Sequence, residues 1–346
     1  MPQPAAPRPH PRPQPNRPSR RSFMRQGGHA VAGLLGLGLG GPVLAQPAAE
    51  ALHILCSGPP GSIPDIVARR VAEHLAGSSA PRTVIDNRPG AAGQIAIQAL
   101  KSGTADGSVL LLAQGAIATI YPHLYAKLGY DPIGDLQPVS LAGEMTLALA
   151  VGPAVPAAVT NVAELVDWMR RHPKQANVGS PGTGTLPHLL EAMLFREADV
   201  AWQHIVYSGG PPAIVDLLGG QIAALVLPEG LFRQHHATGR LRVLATSGAQ
   251  RTALLPGVPS LVEQGFRNGV VREWFAFFAS GRVPSAQVEA SSRALRAAIA
   301  QPVLVAAFAD AGMVAASSTP AELVARIAAE QRYWEPMVRM AGVRAE

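Results

Sequence analysis

Three glycine-rich segments of this sequence share one arrangement: each leaves a short apolar run and leads into a helical pattern. They are Ser57-Gly58-Pro59-Pro60-Gly61-Ser62-Ile63-Pro64-Asp65, Gly179-Ser180-Pro181-Gly182-Thr183-Gly184-Thr185-Leu186-Pro187-His188, and Tyr207-Ser208-Gly209-Gly210-Pro211-Pro212. The first turn of a helix carries backbone N–H groups with no partner inside the helix and a partial positive charge, so it attracts anions. Glycine lets a ligand come close to that backbone. In the first segment Ser62 can cap the helix, with Asp65 three residues on in the capping-box position. Any one of these segments also reads as an ordinary strand-to-helix turn. If all three converge, each helix end adds about 0.3–1 kcal/mol toward an anion, and a carboxylate can be held without Lys or Arg.

Catalytic arrangements are missing. No Gly-Lys-Ser/Thr follows the second segment, which argues against a nucleotide loop. The sequence has no Gly-x-Ser-x-Gly elbow and no His-Glu-x-x-His, and no convincing pair of nucleophile and base is visible. His188 stands at a helix start, where capping or packing explains it better than general-base work. His235 and His236 are adjacent in the basic stretch from Arg233 to Arg240 and read as solvent-facing rather than metal-binding. No catalytic residue, metal site or cofactor is expected.

The elements that position these segments alternate. Apolar runs at Leu52–Cys56, Thr83–Ile85, Val109–Ala113, Leu147–Val151, Ala176–Val178, Gln203–Val206, Ala223–Leu227, Val243–Ala245 and Trp274–Ala279 read as strands. Helical patterns fall at Ile66–Ala76, Val162–Arg171 after a possible Asn161 cap, Leu186–Phe195, Pro211–Leu218, Pro284–Ala300 and Pro320–Met340. Strand–helix alternation with continuously apolar strands predicts an α/β protein with parallel sheets covered on both faces. Breaks at Val151-Gly152-Pro153 and between Gly265 and Gly269 predict two crossings between lobes. One lobe then takes residues 46–146 and 272–346, the other 147–271, with a ligand cleft between them.

Residues 1–45 carry Arg8, Arg12, Arg17, Arg20, Arg21 and Arg25 and no Lys, Asp or Glu. Removing those six from the 29 Lys and Arg leaves 23, equal to the 23 Asp and Glu, so the net charge of +6 comes from this stretch. The remainder has no basic field for nucleic acid. The Pro-rich lead over residues 2–18 is expected to be disordered. Ser19-Arg20-Arg21-Ser22-Phe23-Met24 resembles the twin-arginine export motif; if Met24 is the true start, an ordinary secretory signal without it remains. A Gly-rich apolar run from Ala30 to Leu39 and the small residues of Val43-Leu44-Ala45 follow, which predicts cleavage near Ala45 and release to the periplasm. The run is too short to span a membrane. The single cysteine, Cys56, cannot form an internal disulfide and ends an apolar run, so it reads as buried.

Set in order, the motifs resemble the substrate-binding receptors of tripartite tricarboxylate transporters, the Bug-type receptor family. Pro59-Pro60-Gly61-Ser62-Ile63-Pro64-Asp65 is similar to that family's Pro-Pro-Gly-Gly-x-x-Asp loop, and Asn87-Arg88-Pro89-Gly90-Ala91-Ala92-Gly93 to its Asn-Arg-Pro-Gly-Ala-Gly-Gly turn. Ala105-Asp106-Gly107, Leu124-Tyr125, Tyr130-Asp131-Pro132, Pro187-His188-Leu189 and Asp216-Leu217-Leu218-Gly219-Gly220-Gln221 also fit. The resemblance implies a periplasmic-binding-protein-like fold of two lobes that closes on a small organic acid, working with membrane transporter subunits and monomeric. It implies ligand contacts at Ser57, Pro59, Pro60, Gly61, Ser62, Asp65, Gln114, Ser180, Gly182, Thr183, Gly184, Thr185, Tyr207 and Gly209. Asp65 is expected to hold its own loop rather than pair with the ligand's acid group. Three positions depart from the pattern: Ser62 for the second Gly, Tyr121 for an Asn, and Leu227 for an acid. The last two remove polar groups near the expected pocket and point to a more apolar or aromatic carboxylate. A ligand sensor for a signalling partner, or a periplasmic enzyme on a similar fold, are the alternatives.

Overall fold

The computed structural model describes residues 51–75 and 82–344. The export-signal reading of residues 1–45 and the Ala76 end of the first expected helix lie outside them. The strands are β1 (Leu52–Cys56), β2 (Thr83–Asn87), β3 (Val109–Gln114), β4 (Leu136–Val151), β5 (Asn177–Ser180), β6 (Gln203–Val206), β7 (Ala224–Pro228), β8 (Arg242–Thr246), β9 (Arg272–Ser280) and β10 (Val314–Ala315). The helices are α1 (Ile63–Leu75), α2 (Gln94–Ser102), α3 (Ala116–Thr119), α4 (Tyr121–Leu124), α5 (Val162–Arg171), α6 (Leu186–Glu197), α7 (Gly210–Leu218), α8 (Arg233–Ala237), α9 (Ser285–Ile299), α10 (Pro302–Asp310) and α11 (Pro320–Ala341). Among the described residues no helix is long and apolar enough to cross a membrane.

The strands run in the order β2-β1-β3-β9-β4-β7-β5-β6, with β8 and β10 also paired to β4. β4 ties the two ends of this order together. Its residues Leu136 to Thr146 pair with β9, and Leu147 to Val151 pair with β7 and β8. β1 lies parallel to β2 and β3, and β5 parallel to β6 and β7, as the sequence predicts. An all-parallel sheet is not what forms, however. β9 is antiparallel to β3 and β4, and β4 is antiparallel to β7 and β8. These two long strands join the parallel groups instead of continuing either one, so no helical crossover fixes their direction.

β3 shows why these runs are apolar at every position. Leu110 and Leu112 pack into one core with Ile54, Val67 and Phe277, while Leu111 and Ala113 pack into another with Trp274 and Phe278. Both faces are covered, so alternation disappears from the sequence. The first half of β4 escapes a sequence reading for the opposite reason. Pro138, Gly143, Glu144 and Thr146 interrupt it, and the pairing with β9 shifts register between Pro138 and Ser140 and between Leu141 and Gly143. α11 opens on a capping box in which Thr319 and Glu322 exchange bonds. It then clamps the β4–β9 pair: Glu330 accepts from the Trp274 indole at 2.8 Å, and Arg326 bonds Glu144 and Glu330 while lying 4.9 Å over the Trp274 ring.

Candidate functional site

The first segment is fixed from below by Asp65, which is 3% exposed. Its carboxylate accepts from the Gly61 N–H at 2.9 Å, from Asn87 Nδ2 at 3.0 Å and from Arg69 Nε at 3.0 Å. Burial works against its charge, but the Arg69, Gly61 and Asn87 bonds outweigh burial and hold the carboxyl below its ordinary range. The cap is not the box expected from sequence. Asp65 reaches the amide of Gly61 rather than that of Ser62, and the Ser62 hydroxyl donates to Pro59 O at 2.6 Å. The glycine turn makes both bonds possible, with Gly61 at φ +79. Cys56 is fully buried beneath this loop, and burial pushes its thiol up to about 12.

A second wall comes from the turn Gly90-Ala91-Ala92-Gly93, which precedes α2. Ala91 and Ala92 both take left-handed backbone angles, φ 45 and 50, a conformation costing roughly 1–2 kcal/mol for each non-glycine residue. Side chains beside the turn hold it. Ala92 O accepts from Gln114 Nε2 at 2.6 Å and from the Tyr121 hydroxyl at 2.8 Å, and Gln114 Oε1 accepts from Ser57 at 3.1 Å. Tyr121, which replaces an Asn of the resembled pattern, is fully buried and acts as the strap on this turn.

The segment after β5 is built around Gly182 O, which accepts from Thr185 Oγ1 at 2.7 Å and Ser180 Oγ at 3.2 Å. His188 Nδ1 accepts the Gly184 N–H at 3.0 Å, which is the capping and packing role expected of it. Ser180 Oγ and His204 Nε2 lie 2.7 Å apart, a contact that joins β5 to β6. It has the composition of a nucleophile–base pair, which sequence reasoning did not find. The Ser180 side chain is fully buried, however, and His204 is stacked on a second imidazole with no carboxylate among the described residues bonded to it.

These segments enclose one cavity of about 360 Å³. Of the residues expected at the ligand, Ser57, Pro59, Ser62, Gln114, Gly182, Thr183, Thr185, Tyr207 and Gly209 line it. Pro60, Gly61, Asp65, Ser180 and Gly184 are not in its wall; Ser180 bonds the wall residue Gly182, while Gly61 bonds Asp65 and Gly184 bonds His188. The starts of α1, α2, α6 and α7 all open on it, through Ser62 and Ile63, Gly93, Thr185, and Gly209 and Gly210. The α2 start and the Gly90–Gly93 turn were missed as site residues, although their signal was present in the Asn87–Gly93 motif. Contacts join the segments across the cavity. A Cβ on Gly209 would lie 2.6 Å from Pro59 Cδ, one on Gly182 would lie 3.1 Å from Ala92 Cβ, and the Tyr125 hydroxyl donates to Thr183 O at 3.2 Å.

No Lys or Arg lines the cavity among the described residues. Leu227, Leu231, Ile63 and Phe275 make much of its wall apolar, and one acid, Glu273 of β9, joins them. Burial drives the Glu273 carboxyl up to about 8; the Trp274 N–H beside it lowers this, and the nearby Glu330 charge raises it. Glu273 has no counterpart among the sequence-derived candidates. It sits in an apolar strand with no motif around it. Chemically the described wall presents the unbonded amides of Ile63, Gly209 and Gly210, hydroxyls, apolar surface and one acid.

The model of the family described as "Tripartite tricarboxylate transporter family receptor" matches residues 67–343. The protein BugT of Bordetella pertussis is 30% identical over 309 residues, covering 89% of this chain and 94% of its own. The solved structure of the periplasmic binding protein BugD superposes with a TM-score of 0.80 at 24% identity, covering 86% of this chain and 99% of that one. MatC of Rhodopseudomonas palustris with bound malate gives 0.78 at 23% identity, covering 85% and 100%. The two structures establish a periplasmic-binding-protein-like fold.

Proposed function

The chain belongs to the tripartite tricarboxylate transporter receptor family, and from that premise we propose that its cavity captures a small organic carboxylate outside the cytoplasmic membrane and catalyses nothing. The observation that carries this reading is the convergence of four helix starts on one cavity without a Lys or Arg in its wall. The starts direct partial positive charge at it, and the amides of Ile63, Gly209 and Gly210 have no hydrogen-bond partner among the described residues, so an anion bound among them needs no formal counter-charge. Residues 46–146 with 272–346 form one lobe and 147–271 the other. The change of β4 partners between Thr146 and Leu147 supports that division. Residues 1–45 direct export, and the mature receptor works as a periplasmic monomer that hands its ligand to membrane transporter subunits. Against catalysis, the Ser180–His204 contact lies outside the cavity wall and has no orienting acid among the described residues.

A thermal-shift screen of the full chain against mono-, di- and tricarboxylates tests the reading. A ligand at a hundred times its Kd stabilises the folded state by about 2.7 kcal/mol. A screen in which amines, sugars or phosphates raise the melting temperature and no carboxylate does would overturn it.

A further inference from the structure

We propose that Glu273, carrying its proton, donates a hydrogen bond to the bound ligand and selects carboxylates whose far end offers an acceptor over those whose far end carries an ammonium. The inference rests on the cavity's being a carboxylate site. Glu273 is 4% exposed, lines the cavity, and has no side-chain partner among the described residues. The Trp274 N–H is its one hydrogen-bonding neighbour among the described residues, and a buried carboxyl with bonding capacity left unfilled is costly, so a ligand group that completes its hydrogen bonding gains from it.

The surroundings decide which form of Glu273 meets the ligand. Across β4 it faces Met145. From α11 it faces the charge of Glu330, and from α4 the phenol of Tyr121. The nearby cations are engaged elsewhere: Arg326 with Glu144 and Glu330, Arg272 with Glu144. Burial beside another carboxylate, with no free cation, keeps the carboxyl protonated at neutral pH, in line with a value of about 8. An ammonium would bring three donors into this end of the cavity. It could pair with Glu273 only by displacing the proton, at the desolvation cost of two buried charges, and its other donors would compete for Gln114 Oε1, which takes the Ser57 hydroxyl, and Ala92 O, which takes both Gln114 and Tyr121. A carbonyl or carboxylate oxygen needs only the one proton that Glu273 offers. A second carboxylate would share that proton in a short, charge-assisted bond.

The test is calorimetry with matched probes: straight-chain dicarboxylates of four to eight carbons, and the ω-amino acid and the monocarboxylate of each length. Each is titrated into the wild-type chain and Glu273→Gln at about pH 6.5 and 9.5. We expect the best dicarboxylate to bind at least about tenfold tighter than its ω-amino counterpart at the lower pH. Above about pH 8 wild-type affinity should fall, approaching tenfold per unit as Glu273 must take up a proton to bind. Glu273→Gln keeps a neutral donor, so it should bind within about threefold of wild type at the lower pH and lose this slope. A purely structural role would not change the pH profile. Tighter binding of the ω-amino acid, or an equal slope in both proteins, overturns the inference while leaving the carboxylate site standing. If Glu273→Gln does not fold, the wild-type slope and the dicarboxylate preference decide alone, and the absence of either counts against it. If no carboxylate of any series binds either protein, the carboxylate reading itself fails and the inference goes with it.

Discussion

His188 of α6 and His204 of β6 lie face to face, their ring centroids 3.6 Å apart and their planes 6° from parallel. Two imidazolium ions cannot occupy that geometry, and both rings bond the segment that carries Gly182, through Gly184 and Ser180. Burial, then the neighbouring His204 charge, lowers His188 to about 3, and burial lowers His204 to about 4.

An acid-sensitive fold follows. Unfolded imidazoles take up protons near about pH 6.5, so between there and about pH 4 the unfolded chain binds more protons than the folded one. Stability from this pair is therefore full above about pH 6.5 and is lost as the pH falls toward the folded values. His204→Phe keeps the stack and removes one titration. It should lose about 1 kcal/mol at neutral pH from the broken Ser180 bond, yet lose less than wild type on acidification. Thermal melts from about pH 7 to 4 compare the two slopes, and parallel slopes would clear the pair of this role.

Asp65 should matter more for stability than its distance from the cavity wall suggests. Asp65→Ala leaves the Gly61 amide and one Asn87 N–H without an acceptor, the other still donating to Gly58 O, and should cost roughly 2–3 kcal/mol in urea unfolding. Arg69→Ala should cost less than about 1 kcal/mol, because Arg69 is half exposed. The Asp65 carboxyl is held below its ordinary range when folded, so its contribution is present above the normal carboxylate range and lost as the pH falls through it. Equal losses for the two variants would contradict this account.

How much of this was legible beforehand depended on whether a signal was local. The helix starts at Ser62, Thr185 and Gly209 could be read because glycine, proline and hydroxyl residues cluster where a strand becomes a helix. The β4 strand could not, since its pairing with β9 joins residues far apart in the chain and tolerates Pro138 and Gly143 through register shifts. Glu273 was hidden for a related reason. Only the fold brings the start of β9 into the same cavity wall as the turn at Ala92, and a single acid in an apolar run has no pattern of its own. Tyr121 was read as a lost polar contact, whereas its hydroxyl is retained by Ala92 O.

Glycines at the cross-cavity contacts should govern affinity more than stability. Gly182 stands at φ +154 with Ala92 beside it, and Gly209 at φ +145 against Pro59. A side chain at either is strained and also pushes the two walls apart. Gly182→Val should weaken binding of any carboxylate returned by the screen by more than about a hundredfold, and Gly209→Ala by about tenfold or more. Thr183→Ser, which adds no bulk, should be nearly silent. Calorimetry reads the affinities and thermal melts confirm folding; unchanged affinity in Gly182→Val would mean that these walls do not hold the ligand.

The absence of Lys and Arg from the cavity wall carries the last prediction. Arg69, which follows the first segment in α1, and Arg88, which precedes the Gly90–Gly93 turn, are engaged outside it. Arg69 bonds Asp65, and Arg88, also half exposed, bonds Asp86 at 2.8 Å. If backbone N–H groups hold the carboxylate, the stabilising charge is partial, fixed and out of reach of mobile ions. Raising the salt from about 50 to 500 mM should then change the Kd by less than about threefold, because screening acts mainly on exposed charges. Arg88→Ala should bind within about threefold of wild type. Arg69→Ala should do the same, because the Gly61 and Asn87 bonds still hold Asp65 in place. Calorimetry at two salt concentrations, on variants shown to be folded by their melts, gives the answer. A loss of more than about a hundredfold in either arginine variant, together with a steep salt dependence, would show that the ligand is held by an ordinary salt bridge.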